Sequence, residues 1–215
     1  MSVLATDWVT ISALATAAGT MVLALATFAS VRSANRAARV AERSLLAGLR
    51  PVLMPSRLDD APQKVGFADD KYLLVKGGYG TAEATDDVVY LAMSIRNAGA
   101  GIAVLHGWYL HPERLRGANE GPPPIEDFQR LTRDIYVPAG DVGFWQGVFR
   151  DPAAPGFAEA ADAVQEHHAM TVDVLYGDHE GGQRTITRFG FMPRGDEDWL
   201  LAGARHWNVD REDPR

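Results

Sequence analysis

The most constraining feature of this sequence is a run of 24 residues, from Trp8 to Val31, without a charged side chain. As a helix rising ~1.5 Å per residue the run would be about 36 Å long, and the hydrocarbon core of a bilayer is roughly 30 Å thick. Strong hydrophobes are spread along it: Ile11, Leu14, Met21, Val22, Leu23, Leu25 and Phe28. A buried helix of a globular protein seldom runs this long without a charge, so the run predicts a transmembrane helix at residues 8–31.

The charges on either side of this run predict its orientation. Asp7 precedes the run, whereas four arginines follow it: Arg32, Arg36, Arg39 and Arg43. The positive-inside bias places the arginine side in the cytoplasm. A cleaved signal peptide, the alternative, would carry its basic residues before an apolar run of only about 7–15 residues. The pattern therefore predicts a single-pass signal-anchor in the cell membrane, with residues 1–7 outside and the C-terminal domain cytoplasmic.

Five arginines after the apolar run recur at helical spacing: Arg32, Arg36, Arg39, Arg43 and Arg50. At about 100° per residue they fall within a ~60° arc of one helix. The helix is therefore expected to continue through residues 32–50 and to end at Pro51. This arginine stripe has two interpretations. It is either a solvated face that only fixes the topology, or it also binds anionic lipid head groups, with a binding free energy of ~1 kcal/mol for each basic residue near the surface.

Small residues in the same helix suggest a second contact surface. Ser12, Thr16, Thr20 and Ala24 repeat every four residues, a spacing that lets two helices in a bilayer pack closely. The helix could thus join a protein partner or a second copy of the chain in a homo-oligomer, although an Ala-rich segment produces such matches easily.

Charge and cysteine content exclude several classes of function. The 215-residue chain has a net charge of −7, divided as −1 over residues 1–31, +4 over 32–50 and −10 over 51–215. An acidic C-terminal domain disfavours nucleic acid as a partner. Because the chain has no Cys, it can form no disulfide, thiolate metal site or cysteine nucleophile. No cofactor or metal is predicted.

After Pro51 the hydrophobic pattern changes to the two-residue period of β-strands. Three pairs of runs, each joined by a turn rich in Gly or Pro, predict hairpins: 88–96 with 102–111, 134–137 with 142–149, and 171–176 with 185–191. Further strands are expected at 52–58, 71–76 and 199–207, and short helices at 125–133 and 155–168. Many short strands with such turns predict an antiparallel β-sandwich over residues 51–215, with an immunoglobulin-like topology as one option.

Familiar catalytic motifs are incomplete in this domain. Residues 51–215 contain only two serines, Ser56 and Ser94, and neither lies in a Gly-x-Ser-x-Gly setting. The sequence from His179 to Gln183 is one residue short of the zinc-binding motif His-Glu-x-x-His, because Gln183 replaces the second histidine. Its two glycines also argue against the helix that the motif needs, so we expect a hairpin loop there.

Histidines and aromatic residues on the strands have two interpretations. His106 and His111 should face opposite sides of their strand, each at the surface or the edge of the core. Trp145 and Arg188 lie in strands where aromatic and charged residues alternate, which is typical of one buried and one solvated face. Alternatively, Trp145 and Arg188 could belong to a binding face.

Several stretches carry a resemblance to a known family. They are Arg50-Pro-Val-Leu followed by Ser-Arg-Leu-Asp-Asp60, Arg96-Asn-Ala-Gly-Ala-Gly-Ile102, Tyr136-Val-Pro-Ala-Gly-Asp141 with Trp145-Gln-Gly147, and Gly181-Gly-Gln-Arg-Thr-Ile-Thr-Arg-Phe189. In these stretches the chain resembles uncharacterised single-pass membrane proteins of high-GC actinobacteria. The 18 Arg against 3 Lys fit a GC-rich genome. The resemblance implies an N-terminal anchor and a C-terminal β-domain, but no activity.

These features lead to two hypotheses about function. A simple anchor, a β-sandwich and the lack of a catalytic constellation favour a non-enzymatic interaction or ligand-binding module at the membrane. The alternative is a metal-assisted hydrolase whose His, Asp and Glu residues are gathered from separate strands. Three or more such side chains converging on a concave pocket would favour the enzyme.

Overall fold

The chain forms two compact units, residues 1–47 and 48–215. The computed structural model describes residues 3–111, 120–195 and 198–211. Helix α1 spans Val3–Gly48, and the second unit contains a β-domain with a second helix, α2 (Phe157–Gln165). The strands are β1 (Leu53–Pro55), β2 (Gln63–Gly66), β3 (Tyr72–Val75), β4 (Tyr79–Ala84), β5 (Val89–Asn97), β6 (Ala103–Leu110), β7 (Gln129–Val137), β8 (Val142–Phe149), β9 (Met170–Gly177), β10 (Thr185–Arg194) and β11 (Asp198–Asn208).

Helix α1 is long and apolar enough to cross a membrane from Trp8 to Leu46, with a mean hydropathy of 1.9 in its apolar window. Its hydroxyl groups bond back to the helix itself: Thr16 Oγ1 donates to the Ser12 carbonyl, and Thr20 Oγ1 to the Thr16 carbonyl, both at 2.9 Å. Because these polar atoms are satisfied within the helix, they do not oppose contact with lipid.

Within the described residues, nine strands form one continuous antiparallel sheet that curls into a half-barrel. The order is β1-β5-β4-β11-β10-β9-β6-β7, and β8 pairs with the other edge of β5. The remaining two strands, β2 and β3, form a separate hairpin. Residues 48–215 are therefore mainly β, while the immunoglobulin-like sandwich stays a prediction.

Only one of the three predicted hairpins pairs as expected. The hairpin of β9 with β10 is confirmed, with Tyr176 opposite Thr185. The prediction for β5 with β6 is wrong: β5 pairs with β8 on one edge and with β4 and β1 on the other, so no edge is left for β6. Likewise β7 pairs with β6, and β8 with β5, although only a four-residue turn separates β7 from β8. Both tight connections carry the chain to a different part of the sheet.

The prediction of a helix at residues 125–133 is also wrong. The chain makes a single 3-10 turn at Ile125–Asp127 and then enters β7 at Gln129, which pairs with Trp108 of β6. The apolar pattern at 125–133 is short, and pairing with a neighbouring strand outweighs such a local preference. The helix expected at 155–168 does form, over the shorter span of α2.

The side chain of Asn97 holds the connection between β5 and β6 in place. Fully buried, it accepts hydrogen bonds from the backbone N–H groups of Val52 and Gly99 and donates to the carbonyls of Gly101 and Val137. A buried polar group needs such partners. One amide thus joins the segment before β1, the β5–β6 link and the end of β7.

The main core lies inside the curled sheet and is closed on one side by α2, whose Phe157 and Ala160 are buried. Two smaller apolar clusters lie on the outer face of the sheet. The β2–β3 hairpin covers one of them, centred on Phe67 and Tyr90. The other contains Leu175, Ile186 and Trp207 and is covered by residues 120–128, here called the strap.

Candidate functional site: a pocket beside the bulge of β6

Strand β6 contains a β-bulge at His106. On the β9 edge the pairing passes from Leu105 with Tyr176 to Gly107 with Leu175, so His106 is the extra residue of that ladder. On the β7 edge the partner changes from Ile135 to Arg130, so residues 131–134 of β7 are left out of the pairing as well. The bulge changes the phase of the strand: Leu105 and Trp108 both face the core. The prediction that His106 and His111 face opposite sides is therefore wrong, because both lie on the outer face of the sheet. Bulges commonly re-aim a side chain next to a functional site.

The strap crosses the same outer face. Its Ile125 and Phe128 pack on the apolar cluster of Leu175, Ile186 and Trp207. Its backbone is held by Arg188 of β10, whose Nη1 donates to the Glu120 carbonyl at 2.9 Å and whose Nη2 donates to the Gly121 carbonyl at 3.3 Å. The strap therefore has both an apolar and a polar attachment to the sheet.

Arg188 belongs to a buried ionic cluster. Its Nε and Nη2 donate to the two carboxylate oxygens of Asp173, and His111 Nε2 lies 2.8 Å from Asp173 Oδ2. All three side chains are fully buried. Burial alone would raise the pKa of Asp173, but the hydrogen bonds from Arg188 and His111 outweigh it and hold that pKa below its usual value. The carboxylate is thus ionised and fully partnered.

Trp145 and Arg188, predicted as parts of a binding face, are both buried. Trp145 has 0% exposure and contacts Trp108 edge-to-face inside the main core. Arg188 lies beneath the strap, with its guanidinium 4.7 Å from the ring centre of Trp207. The prediction that these two side chains form a binding face is therefore wrong, because neither can reach a ligand at the surface.

A pocket of about 560 Å³ opens where the strap leaves the bulge uncovered. Its apolar lining consists of Ile125, Phe128 and Leu175, and its polar lining includes His106, Glu126, Arg130 and Arg184. A volume of this size is typical of small-molecule sites, which combine apolar walls with a few polar groups. The His106 ring lies against Gly177 of β9, where even a methyl group would come within 3.0 Å of Nε2.

Hydrogen-bond donors dominate the polar lining of this His106 pocket. Burial lowers the pKa of His106, and the positive charge of Arg184 lowers it further, so the imidazole is neutral at neutral pH. Arg184 is held in place by Asp210, whose carboxylate accepts hydrogen bonds from Arg184 Nε and Nη2. The Nη1 group of Arg184 is not used in this pairing. Arg130 is an exposed residue.

The arginine stripe is placed only in part on helix α1. Arg32, Arg36, Arg39 and Arg43 are exposed on the helix. Because α1 ends at Gly48, Arg50 lies beyond it, half-buried, with Nη2 at 3.4 Å from Thr185 Oγ1. Arg50 is thus a residue of the β-domain surface rather than a member of a continuous helical stripe.

The sequence from His179 to Gln183 forms the β9–β10 turn, as expected. Asp178 is buried and accepts hydrogen bonds from the Gly182 N–H and from Gln183 Nε2. Gly181 has a φ of +77°, a conformation that interrupts any helix. Among the residues that the structure describes, no group of three or more His, Asp or Glu side chains could hold a metal ion.

The sequence did not reveal the His106 pocket, because it depends on the bulge and on the strap, which are both tertiary features. A glycine next to a histidine within a strand pattern was the available signal, since glycine in a strand often marks a bulge.

Comparison with known proteins gives no family. No protein-family model matches the chain, and no curated protein matches it. Among solved structures, a protein described as ApaA from Bordetella pertussis aligns over 78% of this chain and 98% of its own, with 9% identity and a TM-score of 0.23. A β-glucosidase from Kluyveromyces marxianus aligns over 60% of this chain and 14% of its own, with 12% identity and a TM-score of 0.22. Likeness at this level carries no argument, and the resemblance to actinobacterial membrane proteins stays a prediction.

Proposed function

We propose that the protein is a membrane-anchored, non-enzymatic binding module whose β-domain takes a small ligand in the His106 pocket. The ligand would have an apolar body and an anionic group. The observation that carries this proposal is the pocket itself: an apolar wall of Ile125, Phe128 and Leu175 faces the hydrogen-bond donors of His106, Arg130 and Arg184.

The charges of the pocket support an anionic group on the ligand. In the described part of the chain two guanidinium groups line it, against one carboxylate, that of Glu126. Guanidinium groups are the usual partners of carboxylates and phosphates. The fixed position of Arg184 on Asp210 lowers the entropy lost when a ligand binds, which favours affinity.

The anchor belongs to the same proposal. Helix α1 would cross the cell membrane with its N-terminus outside, so that the β-domain would recognise its ligand in the cytoplasm. The acid before the apolar run and the arginines after it support this orientation. Arg32, Arg36, Arg39 and Arg43 would contact anionic lipid head groups, and the helix could associate with a protein partner or with a second copy.

The curled sheet would act as a sandwich-like scaffold for the site. Trp108 of β6 and Trp145 of β8 come from strands far apart in the sheet order, yet their rings meet in the core with centroids 5.5 Å apart. Two parts of one sheet that face each other across a core support this description.

The test uses the full chain in nanodiscs of zwitterionic lipid and three probes that share one apolar body: phenylpropanoate, phenylpropanol and phenylpropylammonium. The dissociation constants are measured by calorimetry. We expect phenylpropanoate to bind several times more tightly than the alcohol. Arg130→Gln should raise the dissociation constant of phenylpropanoate about three- to fivefold, as expected for the loss of one exposed charge pair.

Arg57→Gln is the matched control, because Arg57 is exposed and lies outside the pocket. Its binding of phenylpropanoate should equal that of the wild type. The proposal fails if the anion and the alcohol bind equally, or if Arg130→Gln changes the affinity no more than Arg57→Gln does.

A further inference from the structure

A second cavity lies on the other side of the strap and has the opposite charge. This groove, of about 590 Å³, lies between Asp127 and Gln129, the loop after β8 and the start of α2, and we call it the α2 groove. None of the described residues lines both this groove and the His106 pocket. We infer that the α2 groove binds a small organic cation with an apolar body.

The buried part of the lining is apolar. Phe149 is 3% and Leu110 8% exposed, and the half-buried Val148 and the exposed Pro155 extend the apolar lining towards the surface. Phe149 is fixed by edge-to-face contacts with Trp108 and Phe157. This part of the apolar surface is therefore rigid, so little side-chain entropy is lost when a ligand covers it.

The exposed part of the lining is acidic. Among the described residues three carboxylates belong to it, those of Asp127, Asp151 and Glu159, against one guanidinium, that of Arg150. The charge of Arg150 is already shared with Asp69, 3.4 Å away. Within the described part of the chain neither Asp127 nor Glu159 forms an ion pair. Two carboxylates that no described residue neutralises, beside an apolar surface, complement a cation, not an anion.

An aromatic ring at the surface adds to the cation preference. Tyr109 lines the groove and is half-buried, whereas Phe149 belongs to the buried floor. The Tyr109 ring packs on His111 and Phe128, with centroid distances of 4.9 and 6.2 Å, which hold it at the edge of the cavity. The face of an aromatic ring attracts an ammonium or guanidinium group. Carboxylates, the ring of Tyr109 and an apolar floor are together the chemistry that recognises an alkyl- or arylammonium ion.

The experiment uses the full chain in nanodiscs of zwitterionic lipid with the probe phenylpropylammonium, compared with phenylpropanol. We expect the ammonium probe to bind more tightly than the alcohol by at least threefold. The double variant Asp127→Asn/Glu159→Gln should weaken ammonium binding by roughly three- to tenfold, as expected for two partly exposed charge pairs. The double variant Asp86→Asn/Asp87→Asn is the matched control, because it removes two exposed carboxylates outside the groove.

Two results would overturn the inference: equal binding of the ammonium probe and the alcohol, or equal losses of affinity in the two double variants. The outcome is separable from that of the His106 pocket, because Arg130→Gln acts on phenylpropanoate, whereas Asp127→Asn/Glu159→Gln acts on phenylpropylammonium. If phenylpropanoate fails to bind and the ammonium probe binds as described, the function proposed for the His106 pocket falls while the cation site stands.

Discussion

Arg188 and Asp173 form a two-point ion pair in which Nε donates to Oδ1 and Nη2 to Oδ2, each at 2.8 Å, with both side chains shielded from solvent. The same guanidinium bonds to two strap carbonyls. One arginine thus joins β9, β10 and the strap. It therefore supports the wall between the two proposed ligand sites without being exposed to either.

Removing Arg188 should strongly destabilise the β-domain. Arg188→Met leaves Asp173 as a buried carboxylate that has lost its main partner, and breaking a buried pair typically costs about 3–5 kcal/mol. The double variant Arg188→Met/Asp173→Leu removes both charges and should be more stable than Arg188→Met alone. Urea unfolding followed by tryptophan fluorescence gives both values. A double variant less stable than the single one would contradict this account.

Acid should destabilise the domain in part through Asp173. The folded pKa of Asp173 is lowered, so its stabilising contribution is complete above the unfolded value of about 3.9 and is lost as the pH falls towards the folded pKa. Asp69 and Asp210 also have lowered pKa values and act in the same direction. The free energy of unfolding is measured by urea titration between neutral pH and about pH 3. It should fall less steeply with decreasing pH in Asp173→Asn than in the wild type, although it should still fall. If the free energy of unfolding depends on pH equally in Asp173→Asn and in the wild type, Asp173 does not contribute as described.

Much of the strand content could be predicted, but the pairing could not. The alternating pattern located β5, β6, β8, β9 and β10 because it reflects which residues face the core. Whether two neighbouring strands pair depends on which edges other strands already occupy, and for β5 these are β8, β4 and β1. The phase change at His106 likewise depends on pairing, so periodicity alone placed His106 and His111 on opposite faces. Arg188 shows the same limit, since a charged residue in an alternating strand indicates solvent unless a buried partner such as Asp173 is known.

Close packing at the β5–β6 link should make Gly101 intolerant of a side chain. A methyl group on Gly101 would lie 1.7 Å from the carbonyl oxygen of Leu49, which is backbone and cannot rotate away. Gly101→Ala should therefore cost at least about 1–3 kcal/mol, the usual range for overpacking. Gly182→Ala is the control, because a methyl group there meets nothing within 4 Å and its φ is not positive. Thermal unfolding should separate the two, and similar midpoints would contradict the close approach.

The proposed orientation predicts where the C-terminus lies. A reporter that is active only outside the cytoplasm should be silent when fused after Arg215, and a reporter that is active only in the cytoplasm should work there. Moving the positive charges tests the cause: Arg32, Arg36, Arg39 and Arg43 changed to Gln, with basic residues added before Trp8, should invert the two signals. External activity of the fusion to the unchanged chain would contradict the orientation and place the ligand sites outside the cell.

The helical arginines are predicted to bind anionic lipid beyond their effect on topology. Changing Arg39 and Arg43 to Gln leaves Arg32 and Arg36 next to the apolar run, so the orientation should persist. It also leaves Arg50 and its contact with Thr185 intact. The full chain in nanodiscs should then recruit fewer anionic lipids from a mixed pool, with a loss of about 2 kcal/mol at most, given ~1 kcal/mol per basic residue near the surface. Raising the salt concentration should reduce recruitment by the wild type, because exposed charges are screened over roughly 8 Å at physiological ionic strength. If the wild type and the variant recruit anionic lipid equally at low salt, the stripe serves topology alone.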